Sequence, residues 1–555
     1  MRRGYLGLAA VALTTLVPAV AAAQDFTACD GYETPKSKGD GMTTSPLLWG
    51  LAKGNADIRE APIFAFGADG VAACDRALAD ARLLPGYQLR RAHLLQARAV
   101  HQIGAAQAEQ ALETLAQSEA IGGALEGRYF RDSVGLGNHA VRGFALITLG
   151  RKAEAIKEIE AIEQARGDAP SMLRMATMLR MRIDSSATAH LASLKQRAVR
   201  EPSALFTYFI IALSIGKLEE AAAVGSSLSF DIPANRGGWT TEGETDRHYD
   251  MIVQRADIMG AYAYALAATG KAERSAAVMT RARQDLSDAM APPPPPEPGR
   301  TLSKSVVRDF EARTARGTRG GEALDLWARV IEIRRKAATM NDAEMLAVLR
   351  SLPRGRVPVM ADLLRQMKAS NPADDAGRRG AIDKIDAAAE RERLGILKLD
   401  VAALHDMLPR PETAAMQPHF KHSGDGYFLS DNGYSRRKLD EAGGWTVRFT
   451  HDLASPATVE ELGLLSAATL ARKEGYDGFL VLARRTLQRT THISGMYVAP
   501  QDVPTGNEAQ LNVLLVKGGV LPDAYRDAGW RLVNAQTVID ALSARYDGAA
   551  PARRQ

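Results

Sequence analysis

The sequence predicts a mainly α protein, a solenoid of helical hairpins followed by a small C-terminal α+β domain. Three observations carry this expectation. The hydrophobic fraction is 46% while aromatics are only 6%, and the alanine-rich segments suit close helix packing better than a β-sandwich. A two-helix phrase with a central glycine recurs along the first half. From about Pro409 the hydrophobic period changes from helical to strand-like.

The phrase is clearest over residues 138–165, where two amphipathic helices break at Leu149-Gly150-Arg151. Gly143 offers a small surface for a second helix, and Leu146 follows one turn later. Gly150 permits the reversal that a residue with a Cβ would resist. Ala155 is small, and Ile156, Ile159 and Ile162 recur at helical spacing opposite Lys152, Glu154, Lys157, Glu158 and Glu163. Such a hairpin cannot bury its stripe alone, which is the physical reason for arrays. The phrase returns at His101-Gln102-Ile103-Gly104, at Leu213-Ser214-Ile215-Gly216 and at Leu266-Ala267-Ala268-Thr269-Gly270. Pro170, Pro202 and Pro233 are spaced by 202 − 170 = 32 and 233 − 202 = 31 residues.

With a spacing close to the ~34-residue period of that family, and with its small, large and Gly positions met at Gly143, Leu146, Gly150 and Ala155 and again at Ala212, Gly216, Ala221 and Pro233, residues 71–290 resemble the tetratricopeptide repeats. The aromatic that often opens such a repeat is His139 in one place and Met259 in another. The resemblance implies a curved helical scaffold that binds a protein or peptide.

Residues 1–23 read as a secretory signal peptide. Arg2 and Arg3 precede an apolar run from Leu6 to Val20, and Ala21-Ala22-Ala23 precede Gln24. The residue after the inferred cut is not cysteine, so lipid attachment there is not expected. No later stretch offers the ~18 apolar residues of a membrane span. The expected location is the periplasm or outside the cell. A formal net charge of +5, spread over mixed-sign helices, indicates solubility rather than nucleic-acid binding. Cys29 and Cys74 are the two cysteines. In an oxidising compartment such a pair is a disulfide candidate, the alternative being two unpaired thiols.

Residues 24–70, rich in Gly and Pro, form an N-terminal arm that caps the array. Met172, Leu173, Met175, Ala176 and Leu179 make an apolar stripe, read as core rather than as an adaptable ligand groove. Trp239 lies in an aperiodic stretch, where it either anchors a partner or tucks back onto the helices. Residues 291–300 are a proline-rich linker favouring extended backbone. Residues 301–410 are a second helical segment without the glycine phrase. Within it Arg313, Arg316 and Arg319 among glycines read as a solvated turn.

Residues 411–555 carry strand patterns over 426–429, 445–449, 479–486 and 511–516, and helices over 455–473 and 535–546. Ser455-Pro456 marks a helix start, and Glu460 and Glu461 lie early in that helix, where its dipole favours negative charge. Asn432-Gly433-Tyr434-Ser435, Gly475-Tyr476-Asp477-Gly478-Phe479 and Ala535-Gln536-Thr537-Val538-Ile539 resemble a family of small bacterial envelope lipoproteins of unassigned activity. That similarity covers about 426–542. It implies an envelope location and no catalytic residue.

No Gly-x-Ser-x-Gly elbow, P-loop, His-Glu-x-x-His or Cys-x-x-Cys is present. His419, His422 and Asp425, with His405 upstream, are zinc-compatible residue types, but their loop spacing does not favour a metal centre. His451, Asp452 and Ser455 form an acid–base trio only on paper, because neighbours in a turn seldom hold the required geometry. Asp452 and Ser455 are expected to organise the turn and cap the helix. The expectation is therefore an exported, non-enzymatic scaffold without metal or cofactor. Trp239, Tyr434 and Tyr476 are its candidate contacts to an envelope protein or peptide. The alternative is a periplasmic hydrolase acting on a cell-wall or peptide substrate, and a third reading is a homo-oligomer.

Overall fold

The structure is a computed structural model that describes residues 25–36, 39–42, 66–125, 127–228, 242–296, 298–337, 339–341, 399–413, 416–423, 432–439, 444–495 and 498–546, with isolated positions between 344 and 387. The signal-peptide candidate, Pro233, Trp239, Asp425 and the strand expected over 426–429 lie outside the described residues. The fold is mainly α with a C-terminal α+β domain. Its two compact units do not follow chain order. One comprises residues 1–190, 397–518 and 533–555, and the other residues 191–396 and 519–532.

In the first unit, α1 (Ala68–Ala79), α2 (Gln88–Gly104), α3 (Ala108–Gly122), α4 (Leu136–Thr148), α5 (Lys152–Arg166) and α6 (Pro170–Ile183) follow one another, with a π-helical turn over Arg131–Gly135 before α4. The apolar stripes of α2 to α6 meet in one core that includes Val100, Leu115, Phe144, Ile159, Ile162, Met175 and Leu179, while Cys74 and Ala77 of α1 pack with Phe26, Leu94 and Ala97 in a second. The methionine stripe of α6 is part of the first core. Turn chemistry is local. At the α4–α5 turn the Arg151 N–H donates to the Leu146 carbonyl and the Gly150 N–H to that of Ile147, with Gly150 at φ 76°, the Schellman arrangement that a left-handed residue completes. The first hairpin differs from expectation. Gly104 lies inside α2, and the left-handed position is Ala106 at φ 61°. Gly104 is small because Phe66 packs against it, 3.2 Å from where its Cβ would be.

The α+β part of this unit contains β1 (Gly433–Lys438), β2 (Gly444–His451), α14 (Pro456–Lys473), β3 (Gly478–Gly495), β4 (Val498–Val516), β5 (Val533–Asn534) and α15 (Ala535–Ser543), preceded by the short α13 (Val401–Met407). The sheet is antiparallel throughout, in the order β1-β2-β4-β3-β5. Ser455 accepts the Thr458 N–H at 3.2 Å and so caps α14, with Pro456 at the first helical position. Gly463 lets α14 lie close on the sheet, since a Cβ there would stand 2.9 Å from Leu511. β3 and β4 run past the expected strands as a paired ribbon whose register shifts between Arg489 and Thr490.

The second unit includes α7 (Ala187–Ala198) from Leu191 onward, α8 (Ser203–Ser214), α9 (Leu218–Gly225), α10 (Glu242–Ala268), α11 (Ala272–Ala289) and α12 (Lys304–Lys336). The turns after α8 and α10 repeat the Schellman pattern at Gly216 and Gly270. Arg313, Arg316 and Arg319 lie in the continuous α12, not in a turn. Arg313 pairs with Asp309 at 3.0 Å and Arg316 with Asp250 at 3.1 Å, while Gly317 and Gly320 admit Met290 and Leu286 to the helix surface. Those glycines serve packing, so they do not break the helix.

Candidate functional site

Within the first unit the array meets the α+β domain at a buried ionic junction. Arg166, in the last turn of α5, is fully buried, as is Glu461 of α14. The guanidinium donates from Nε to Glu461 Oε1 at 3.1 Å and from Nη2 to Oε2 at 2.8 Å, a two-point contact that fixes both groups. Its Nη1 reaches the Asp132 carbonyl at 3.2 Å and Glu412 at 3.3 Å, and Nη2 also reaches Thr458 at 3.0 Å. Arg545 and the Tyr546 hydroxyl complete the shell of Glu461 at 2.6 Å and 2.5 Å. Burial alone would raise the Glu461 carboxyl, but the Arg166 and Arg545 charges and the hydrogen bonds from Arg166 and Tyr546 hold it below the usual carboxylate range.

One residue away, Glu460 accepts the N–H and hydroxyl of Ser171 at 3.0 and 2.7 Å. Ser171 is in the first turn of α6, whose preceding residue, Ala169, offers no side-chain cap. A carboxylate from α14 thus satisfies that helix N-terminus, where negative charge is favoured.

Beside the junction opens a cleft of about 320 Å³ lined by Gln417, His419, Lys421, Asn432, His451, Asp452 and Leu453. The His451 Nδ1 accepts the backbone N–H groups of Leu453 at 3.1 Å and Ala454 at 2.9 Å. The neutral ring therefore carries its proton on Nε2. Burial, reinforced by the charges of His419 and Lys421, pushes His451 down to about 4. Asn432 pins Asp452 at both ends, donating to Oδ2 and accepting the Asp452 N–H, each at 3.1 Å. Arg489 stands 3.7 Å from Oδ1 of the same carboxylate.

His451, Asp452 and Ser455 are therefore neighbours engaged in separate tasks, with Ser455 capping α14 and donating to Glu412. His405 is buried against the Phe66 ring, 5.5 Å between centroids, and His422 bridges to Tyr434 of β1. Among the described residues no group of three or more His, Cys, Asp or Glu side chains is placed to hold a metal ion. Tyr434 packs on Phe420 at 4.9 Å beneath Arg436, whose guanidinium lies 4.4 Å from its centroid. Tyr476 is partly exposed in the turn after α14 and closes that helix by donating its N–H to Ala471. Cys29 and Cys74 form a disulfide.

Arg166 and Glu412 carried no sequence signal, because each pairs with residues hundreds of positions away, and the early placing of Glu461 in its helix gave no hint of its pairing with Arg166. Gln417 and Lys421 were equally silent beside the more conspicuous histidines. Compared with known proteins, the chain matches no protein-family model, no curated protein and no solved structure.

Proposed function

We propose that this chain is an exported interaction scaffold of the bacterial cell envelope, in which tetratricopeptide-like hairpins receive a protein or peptide and the C-terminal domain is a fixed second docking element. The observation that carries the reading is the recurrence of helical hairpins closed by one turn chemistry, at Gly150, Gly216 and Gly270, because arrays of this kind expose extended binding faces. Export is supported by the sequence of residues 1–23 and by the Cys29–Cys74 disulfide, which persists in oxidising compartments. A binding role rather than a triad is supported by His451, whose Nδ1 is committed to two backbone donors. No described helix is long and apolar enough to cross a membrane.

The test is photocrosslinking in cells, with a reactive residue at Tyr476 and separately at Trp239, followed by mass spectrometry. One specific envelope protein attached at either site is the expected result. Self-adducts alone would replace the scaffold with a homo-oligomer, and no adduct at either site would overturn the reading.

A further inference from the structure

The cleft next to the junction contains more hydrogen-bond donors than the protein itself uses. Asp452 is its one lining carboxylate among the described residues, and Asn432 and Arg489 already attend it. Gln417 accepts the Tyr129 hydroxyl through its Oε1, which leaves its amide N–H₂ uncommitted among the described residues. Lys421 makes no side-chain hydrogen bond or ion pair among the described residues, and its backbone carbonyl is held by the Tyr434 N–H at 2.8 Å. With Nδ1 of His451 accepting twice, the remaining ring nitrogen is a donor in the neutral form and also when protonated. Among the described residues the charged groups here are Lys421 and Arg489 against Asp452, with His419 also lining the cleft, so their balance is positive. Leu453 adds an apolar wall, and the volume lies in the range of small-molecule sites.

We propose that this cleft binds a small organic oxyanion, whose carboxylate or phosphate oxygens are taken by Lys421, His451 and the Gln417 amide. Lys421 supplies the charge, while His451 and Gln417 set the direction, because both are held by fixed partners on their other side. This goes beyond the scaffold reading and does not depend on it.

The experiment uses the full chain and two probes, succinate and methyl phosphate, at millimolar concentration. Lysines are reductively methylated with and without probe and mapped by mass spectrometry, and binding is measured by calorimetry. The expected result is slower labelling at Lys421 than at other lysines with one probe, which identifies the oxyanion as carboxylate or phosphate. The Lys421→Met variant should then bind roughly tenfold or more weakly, as expected for loss of a charged hydrogen bond, and Lys421→Arg should retain most of the affinity. Because the Lys421 side chain has no partner among the described residues, both variants should melt with the parent, which separates lost binding from lost folding. Failure of both probes to protect Lys421, or unchanged binding by Lys421→Met, overturns the proposal.

Discussion

Arg90 and Arg166 are both fully buried in the first unit, and the protein meets their charges in opposite ways. All three guanidinium nitrogens of Arg166 are bonded, to groups from α14, the π-helical turn, the segment before the sheet and the chain after α15. Among the described residues Arg90 uses only Nη2, donating to Asp30 at 2.9 Å and to the Tyr32 carbonyl at 3.3 Å, while its Nε and Nη1 have no hydrogen-bond partner there. Its compensation is aromatic, with the Phe26 and Tyr32 rings 5.5 and 5.3 Å from the guanidinium carbon. The two sites also differ in how the chain is fastened. The segment holding Asp30 is tied covalently to α1 by Cys29–Cys74, whereas the array and the α+β domain are joined at Arg166 without a covalent link. A well-satisfied ionic network can itself act as the fastener; a partly satisfied one needs another constraint around it.

The largest effect should come from breaking the satisfied network. Glu461→Ala leaves Arg166 and Arg545 facing each other without their shared carboxylate, and should cost about 3–5 kcal/mol in urea unfolding. An unchanged midpoint would mean the junction contributes little. Removing the covalent fastener with Cys74→Ser should cost about 2–4 kcal/mol, and a reducing agent should lower the melting temperature of the parent but not of that variant.

Arg90→Met leaves the buried Asp30 with only His93 and the Tyr32 N–H beside it and should cost about 2–3 kcal/mol, less than Arg166→Met. Equal losses would refute the distinction.

Acid should separate the cleft from both ionic sites. The neutral His451 ring titrates at about 4 in the folded protein against an ordinary 6.5. The unfolded chain thus takes up a proton first, and the stability is present above pH 6.5 and lost as pH falls towards 4. Partial exposure brings this to about 1–2 kcal/mol. His451→Asn, which keeps an acceptor for the two backbone N–H groups, should flatten that limb of the stability profile. At Asp30, burial alone would raise the carboxyl, but Arg90, His93 and the Tyr32 N–H hold it low. Like Glu461, its contribution is present above the ordinary carboxylate range and is lost only as pH falls through the depressed folded value.

The smallest effect is favourable. Ala106→Gly relieves a left-handed alanine and should stabilise the first hairpin by about 0.5–1 kcal/mol, partly offset by the freedom glycine has when unfolded.

The strand reading shows where legibility ended. Val447 and Phe449 alternate as a half-buried strand should, and β2 was readable from them. The β3–β4 ribbon was not readable over Leu487 to Thr490, where the exposed Leu487 stands before polar residues and gives no alternation. Pairing with the facing strand extends it instead. The α12 glycines were misread for a related reason. A glycine that admits Met290 to a helix surface looks, in one dimension, like a glycine that breaks a helix.

What the sequence determined by itself was therefore local: the hairpins, the left-handed glycines at Gly150, Gly216 and Gly270, and the Ser455-Pro456 start of α14. Each depends on backbone conformation within a few residues, and the residue types announce it. Only the tertiary structure decided that Arg166 meets Glu461 across 295 positions, that Glu460 caps a helix of the array, and that Lys421 and His451 share one cleft. Those relations depend on distance in space. A buried arginine and an exposed one are the same letter until the fold removes the water around one of them.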